Sequence, residues 1–210
     1  MILCDIGNTS IKVLQDEKIE NYYKTDIIPS FSDKVFYISV NKIKEQELLE
    51  KNPKAQNLEK FINFETKYKG MGIDRVVACL FFENAVIIDA GSAITVDIIE
   101  NSTHIGGFIL LGLQSIKNAY KDISPVLEEK LESNINLDKI PLQTKDAISY
   151  ATLKSIILPI NEIRKDKNIV ITGGDGELLS QFFKNCTYKK DLIFENMRRI
   201  IDANNCIAKG

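Results

Sequence analysis

Two stretches of this chain carry the same short pattern, and that repeat limits the folds open to it. Residues 2–14 read ILCDIGNTSIKVL and residues 86–98 read VIIDAGSAITVDI. Three apolar residues run up to Asp5 in one and to Asp89 in the other. Gly7 matches Gly91, Asn8-Thr9 stands opposite Ser92-Ala93, and both copies then resume a strand-like run. The copies lie 84 residues apart, so each is expected to open one half of a two-lobed α/β chain.

A strand that ends in Asp-x-Gly and turns back has definite chemical uses. Its carboxylate sits at the strand end, where it can hold a metal ion or that ion's water shell. The glycine is expected to supply positive φ and close approach of backbone to an anion. The residues after it present N–H groups and hydroxyls in a concavity that suits phosphate. Either turn alone is better explained as a hairpin rich in turn formers; the pair, with the glycine motif at Gly173, favours a grip on a polyphosphate.

Three further glycine motifs bear on a site. Gly173-Gly174-Asp175-Gly176 follows the apolar strand Asn168–Thr172 and precedes a helix. It matches neither a P-loop nor a complete dinucleotide fingerprint, and it reads either as a tight connection or as a seat for a flat ligand. Gly70-Met71-Gly72-Ile73-Asp74-Arg75 opens a helix expected over Ile73–Phe82. Asp74 can accept a proton from a hydroxyl while Arg75 binds a carboxylate; otherwise they are a near-cap Asp and an exposed Arg. Gly106-Gly107 and Gly112 bracket a strand where backbone approaches closely, and Thr144 can cap the helix after it.

Several classes are excluded. Lys+Arg is 27 and Asp+Glu is 29, a net charge of −2, so no basic surface points to nucleic acid or a membrane. Apolar runs such as Val76–Phe82 are too short to span a bilayer, and Met1-Ile2-Leu3-Cys4-Asp5, with no basic segment and no long apolar stretch, is not expected to act as a secretory leader. Cys4, Cys79, Cys186 and Cys206 form no C-x-x-C pair, which argues for reduced thiols in a cytoplasmic protein. His104 is the single histidine, and nothing beside it resembles a catalytic triad.

Strands are expected at the two Asp-x-Gly repeats, Val35–Val40, Phe61–Phe64, Ala85–Ile88, Ile94–Glu100, Ile105–Leu110 and Asn168–Thr172. Helices are expected within 42–60, then at Ile73–Phe82, Gly112–Lys121, Ala147–Ile163, after Gly176 and at Ile193–Ala208. Pro159 is expected to kink or end the fourth of these.

The ordered set Asp5–Thr9, Gly72–Arg75, Asp89–Asp97, Gly106–Gly112 and Thr172–Gly174 resembles the type III pantothenate kinases, over residues 1 to about 175. The resemblance implies the actin-like ATPase fold: two ribonuclease H-like lobes with a cleft between them, over 1–83 and 84–192, with a helix at about 193–210 packing back on the first. It implies ATP-dependent phosphorylation of pantothenate, the first step toward coenzyme A. Asp5, Gly7, Asn8, Thr9 and Lys12 would line the ATP phosphates, with Asp5 near magnesium through water. Ser92 would also contact ATP, and Gly173 and Gly174 would lie near the adenosine. Asp89 would hold a monovalent cation, potassium or ammonium. Tyr68, Gly72, Ile73, Asp74, Arg75 and Thr144 would bind pantothenate, with Asp74 the proton acceptor. A homodimer is implied as well.

Ser92 stands where the family usually has Thr and keeps the hydroxyl; Leu111 replaces the usual Pro before Gly112. The competing readings are another small-molecule kinase or phosphatase on this fold, an idle relative acting as a regulatory binding protein, and a metal-dependent nuclease. The last would need clustered carboxylates and a less negative chain.

Overall fold

The computed structural model describes residues 1–23 and 26–204. In chain order the regular elements are β1 (Ile2–Ile6), β2 (Ser10–Gln15), β3 (Lys18–Tyr23), β4 (Val35–Ser39), α1 (Lys42–Lys51), β5 (Gln56–Asn57), α2 (Ile73–Cys79), β6 (Ala85–Ala90), β7 (Ala93–Glu100), β8 (Thr103–Leu111), α3 (Leu113–Ile123), α4 (Thr144–Arg164), β9 (Asn168–Thr172), α5 (Gly176–Ser180), β10 (Cys186–Tyr188) and α6 (Leu192–Ala203). The chain divides into two compact units: Met1–Phe81 with the segment that starts at Asp191, and Phe82–Lys190.

Each unit is built on a five-stranded mixed sheet. The first has the order β3-β2-β1-β4-β5 and the second β10-β9-β6-β7-β8. Read from the other edge, the second order is that of the first. In each, an apolar strand (β1 or β6) makes an antiparallel hairpin on one side and takes a parallel partner (β4 or β9) on the other. All five residues of β1 and five of the six of β6 are buried, as expected of strands covered on both faces. The repeat seen in the sequence is therefore one supersecondary unit used twice.

In the first unit Ile2, Cys4, Ile6, Ile11, Val13, Val35, Tyr37 and Leu48 form one core cluster. The amphipathic helix α6 adds Phe194, Met197, Ile200 and Ile201 to the buried set. In the second unit Val86, Ile88, Val96, Ile169 and Ile171 pack with Leu153, Ile156 and Ile160 of α4.

Several expectations need correction. Phe61–Phe64 is no strand: Glu59–Phe61 is a 3₁₀ turn. The helix within 42–60 stops at Lys51, where Asn52 turns its N–H to the Leu48 carbonyl. Helix α2 ends at Cys79, short of Phe82, because the chain turns left-handed at Phe81 (φ 67°). Of the two effects expected of Pro159, the ending of α4 is ruled out: the helix runs on to Arg164, with buried Ile156, Ile157 and Ile160 on both sides of the proline. Residues 205–208 of the expected last helix, and Cys206, lie outside the described residues.

Cys4, Cys79 and Cys186 form no disulfide. Burial, with the Asp5 charge beside it, pushes the Cys4 thiol up to about 12. Among the described residues no helix is long and apolar enough to cross a membrane.

Candidate active site

In the first unit, Asp5 is buried near the end of β1. Lys12 lies directly opposite it across the antiparallel β1–β2 ladder, which sets the two side chains on one face of the sheet. The connecting turn is tight: the Gly7 N–H donates to the Ser10 carbonyl at 3.0 Å, leaving Asn8 and Thr9 exposed at the tip. The expected positive φ is absent at Gly7 and Gly91; the glycines with positive φ are Gly70, Gly106 and Gly173. Gly7 is wanted for space, since a Cβ there would stand 3.1 Å from the Ser10 carbonyl oxygen.

The Gly72–Arg75 segment is brought to the same end of this sheet. The Val40 N–H donates to the Ile6 carbonyl at 3.0 Å, and the Val40 Cγ1 lies 3.3 Å from where a Cβ on Gly72 would be. Ile73, Asp74 and Arg75 form the first turn of α2, and the buried Ile73 anchors that turn. The Asp74 Oδ1 accepts a hydrogen bond from the Arg75 backbone N–H at 2.8 Å. Arg75 is not the exposed residue of the plainer reading: it is 6% exposed, and its Cζ sits 4.6 Å from the centre of the Tyr68 ring. Tyr68 is thus joined to the site through Arg75.

In the second unit four predicted residues converge. Gly173 has φ 90°, and a Cβ on it would fall 2.5 Å from the Asp89 Oδ1. A side chain is therefore barred there by conformation and by space. Gly174 borders open space, beside Asp175, whose N–H donates to the Ala90 carbonyl at 3.0 Å. Ser92 is exposed at the β6–β7 turn. Gly112 packs against the backbone of that turn so closely that a Cβ would fall 2.5 Å from the Ser92 carbonyl oxygen. Asp89 pairs in register with Thr95 of β7 and Thr172 of β9. Thr144 stands apart: it is exposed and inside the first turn of α4, whose cap position is Gln143, so it does not cap the helix. Among the described residues it makes no hydrogen bond to another predicted site residue.

The sequence reading missed three features. His104 and Asp97, both 1% exposed, form a buried pair with Nε2 and Oδ1 2.9 Å apart. The single histidine and the last residue of the Asp89–Asp97 motif are not register partners: Asp97 stands opposite Gly107 and His104 opposite Ile99, with a register shift at Ile98/Ile99. Val40, which links the β1 turn to Gly72, carries no chemical signal. Asp175 carried no role of its own within the Gly173–Gly176 connection; burial pushes its carboxyl above its ordinary value.

A sequence profile of the type III pantothenate kinases matches residues 42–166. A type III pantothenate kinase of Campylobacter jejuni (strain RM1221) is 44% identical over 210 residues, covering 97% of this chain and 98% of its own. A crystal structure from C. jejuni, described as a conserved Baf family transcriptional activator, superposes with a TM-score of 0.89 at 41% identity, over 98% of this chain and 99% of its own. MreB 5 of Spiroplasma citri, at 9% identity and a TM-score of 0.51 over 99% of this chain and 97% of its own, shares the actin-like fold alone. With a matching profile over more than half its length and relatives matched nearly end to end, the chain belongs to the type III pantothenate kinase family.

Proposed function

We propose that the chain phosphorylates pantothenate with ATP, the reaction its family carries out, using Asp74 as the proton acceptor and Arg75 as the carboxylate anchor. The observation that carries the reading lies within the first unit. The Asp5–Thr9 turn and the Gly72–Arg75 segment meet at one end of the sheet through Val40. A phosphate-binding turn and an acid–arginine pair at one strand end are what transfer to a carboxylate-bearing alcohol requires.

Phosphoryl transfer depends on positioning and charge neutralisation more than on covalent help. Asp74 orients the primary hydroxyl and takes its proton, worth roughly 10²–10⁴-fold. Arg75, held in a buried setting, binds the carboxylate bidentately and selects against uncharged analogues. Tyr68 and Ile73 complete this pantothenate-binding group, with Gly72 at the entry to α2. Lys12 and the Gly7–Thr9 backbone face the triphosphate. In the second unit Ser92, Gly173 and Gly174 are the residues that would contact nucleotide.

Among the described residues no group of three or more His, Cys, Asp or Glu is placed to hold a metal. A single buried carboxylate beside a hydroxyl-bearing turn instead suits magnesium, which keeps most of its waters and leans on phosphate oxygens. Asp5 would hold that magnesium through water, and the ion would offset charge on the ATP phosphates. Asp89 would hold a monovalent cation, potassium or ammonium. The thiols of Cys4, Cys79 and Cys186, none of them in a disulfide, support a reducing, cytoplasmic setting.

ADP release with ATP, magnesium and pantothenate, in potassium and then in sodium buffer, tests the reading. Pantothenate-dependent turnover that needs potassium or ammonium is expected. Turnover indifferent to pantothenate would send the substrate search elsewhere. No turnover from folded protein would favour the regulatory reading that the Baf description of its structural relative suggests. A homodimer is the expected assembly; sedimentation showing only monomer at micromolar protein would contradict it.

A further inference from the structure

Gly70 and Gly72 stand two residues apart for different reasons. Gly70 has φ 73° and open space around it, so conformation demands the glycine. Gly72 has φ −65° and ψ 146°, an extended conformation open to any residue. Space demands it instead: a Cβ would lie 2.5 Å from the Asp74 Oδ1. That same oxygen accepts the Arg75 N–H at 2.8 Å. The Asp74 carboxylate is thus folded back over Gly72 with Oδ1 tied to the chain, and its Oδ2 takes no hydrogen bond from the described residues.

The geometry points to Gly72 as a positioning residue for the base: its missing side chain lets Asp74 lie with Oδ1 held by the Arg75 amide and Oδ2 turned to the substrate hydroxyl. This rests on Asp74 being the base. The proton passes from the hydroxyl to Oδ2 as the hydroxyl oxygen bonds to the γ-phosphorus. The bond from that phosphorus to the bridging oxygen breaks, and its electron pair leaves with ADP. A methyl group on Gly72 meets the far end of the flexible Asp74 side chain and, less closely, the Val40 Cγ1 at 3.3 Å, so the carboxylate rotates off the amide while the fold survives a small shift of Val40.

The test compares Gly72→Ala, Asp74→Asn and the double variant with the parent chain, by thermal melting and by steady-state kinetics with ATP and pantothenate. Gly72→Ala is expected to melt with the parent, to lose roughly 10–100-fold in kcat, and to keep the KM for pantothenate within about threefold, a loss confined to the transition state. Adding it to Asp74→Asn is expected to cost little more, since both act on one group. Near-parent kcat for Gly72→Ala beside an impaired Asp74→Asn overturns this inference and leaves the base. A loss carried by KM, or one that tracks a lowered melting temperature, assigns the glycine to substrate contact or to folding and also overturns it. Near-parent kcat for Asp74→Asn removes the base reading and this inference together.

Discussion

Tyr68 lays its ring on the Arg75 guanidinium, 4.6 Å from Cζ to the ring centre, at a place where the arginine is nearly sealed from water. A cation over an aromatic face contributes about 0.5–2 kcal/mol, and here it also fixes the plane of the fork that would meet a carboxylate. Tyr68→Phe, which keeps the face, is expected to leave the KM for pantothenate within about twofold. Tyr68→Leu is expected to raise it roughly threefold to tenfold, a shift of about 1 kcal/mol. Steady-state kinetics check both, with the alcohol analogue that lacks the carboxylate as control; an equal rise for the analogue would contradict the role. Asp175 makes a pH-dependent prediction. Burial raises its carboxyl in the folded state, so the folded chain holds that proton more tightly than the unfolded one. The stability this confers is present in acid and is lost as pH rises through the raised value. Asp175→Asn is therefore expected to melt higher than the parent at pH 7, with the gap closing below the ordinary carboxyl value of about 3.9. Melting curves across that range measure it.

Helix α2 is only seven residues long, too short to hold itself, yet it carries Asp74 and Arg75. Asn196 of α6 supplies part of what it lacks. Its Nδ2 donates to the Val77 carbonyl at 2.8 Å and lies 3.4 Å from the Leu80 carbonyl oxygen, serving acceptors at the helix end. Asn196→Ala strands those buried groups, at a cost of about 2 kcal/mol, which is about 4–8 °C in melting temperature for a chain of this size. Calorimetry checks it; an unchanged melting temperature would deny the cap. Such elements also show what could be read in advance. The run Asn168-Ile169-Val170-Ile171-Thr172 is apolar and ends in glycine, and β9 has those bounds. Strands β3 and β10 escaped because their residues, Lys18–Tyr23 and Cys186–Tyr188, are largely exposed or half-buried and carry little alternation. Phe61–Phe64 looked like a strand for its aromatics, but no neighbouring strand pairs with it there, and short apolar runs do not declare their partner. Pro159 was read by its local cost, which tertiary packing of α4 overrides.

At the scale of the whole molecule, one strand-turn-strand pattern builds two sheets of the same order, and the likeness to MreB 5 shows the actin-like fold. The motifs legible in the sequence were those that bring backbone close to something: Gly112 and Gly173 both abut the Asp89–Ser92 turn. What was not legible was how each residue acts. Arg75 was not visibly buried, Gly72 not visibly a matter of space, and the His104–Asp97 pair not visible at all, because burial and register are properties of the folded chain. Gly112→Ala follows from the first group. Its Cβ would meet the backbone of the turn rather than a yielding side chain, so it is expected to lower the melting temperature by several degrees, an overpacking cost of about 1–3 kcal/mol, and to raise the KM for ATP through Ser92. Melting and kinetics together check that, and a neutral variant would contradict the close approach. The most direct test of the account as a whole is mass-spectrometric detection of the product formed from pantothenate and ATP by the parent chain and by Asp74→Asn. The account predicts phosphorylated pantothenate from the parent and a loss of roughly 100-fold or more in its rate of formation from the folded variant. Equal product from both would contradict Asp74 as the base, and none from either would contradict the kinase itself.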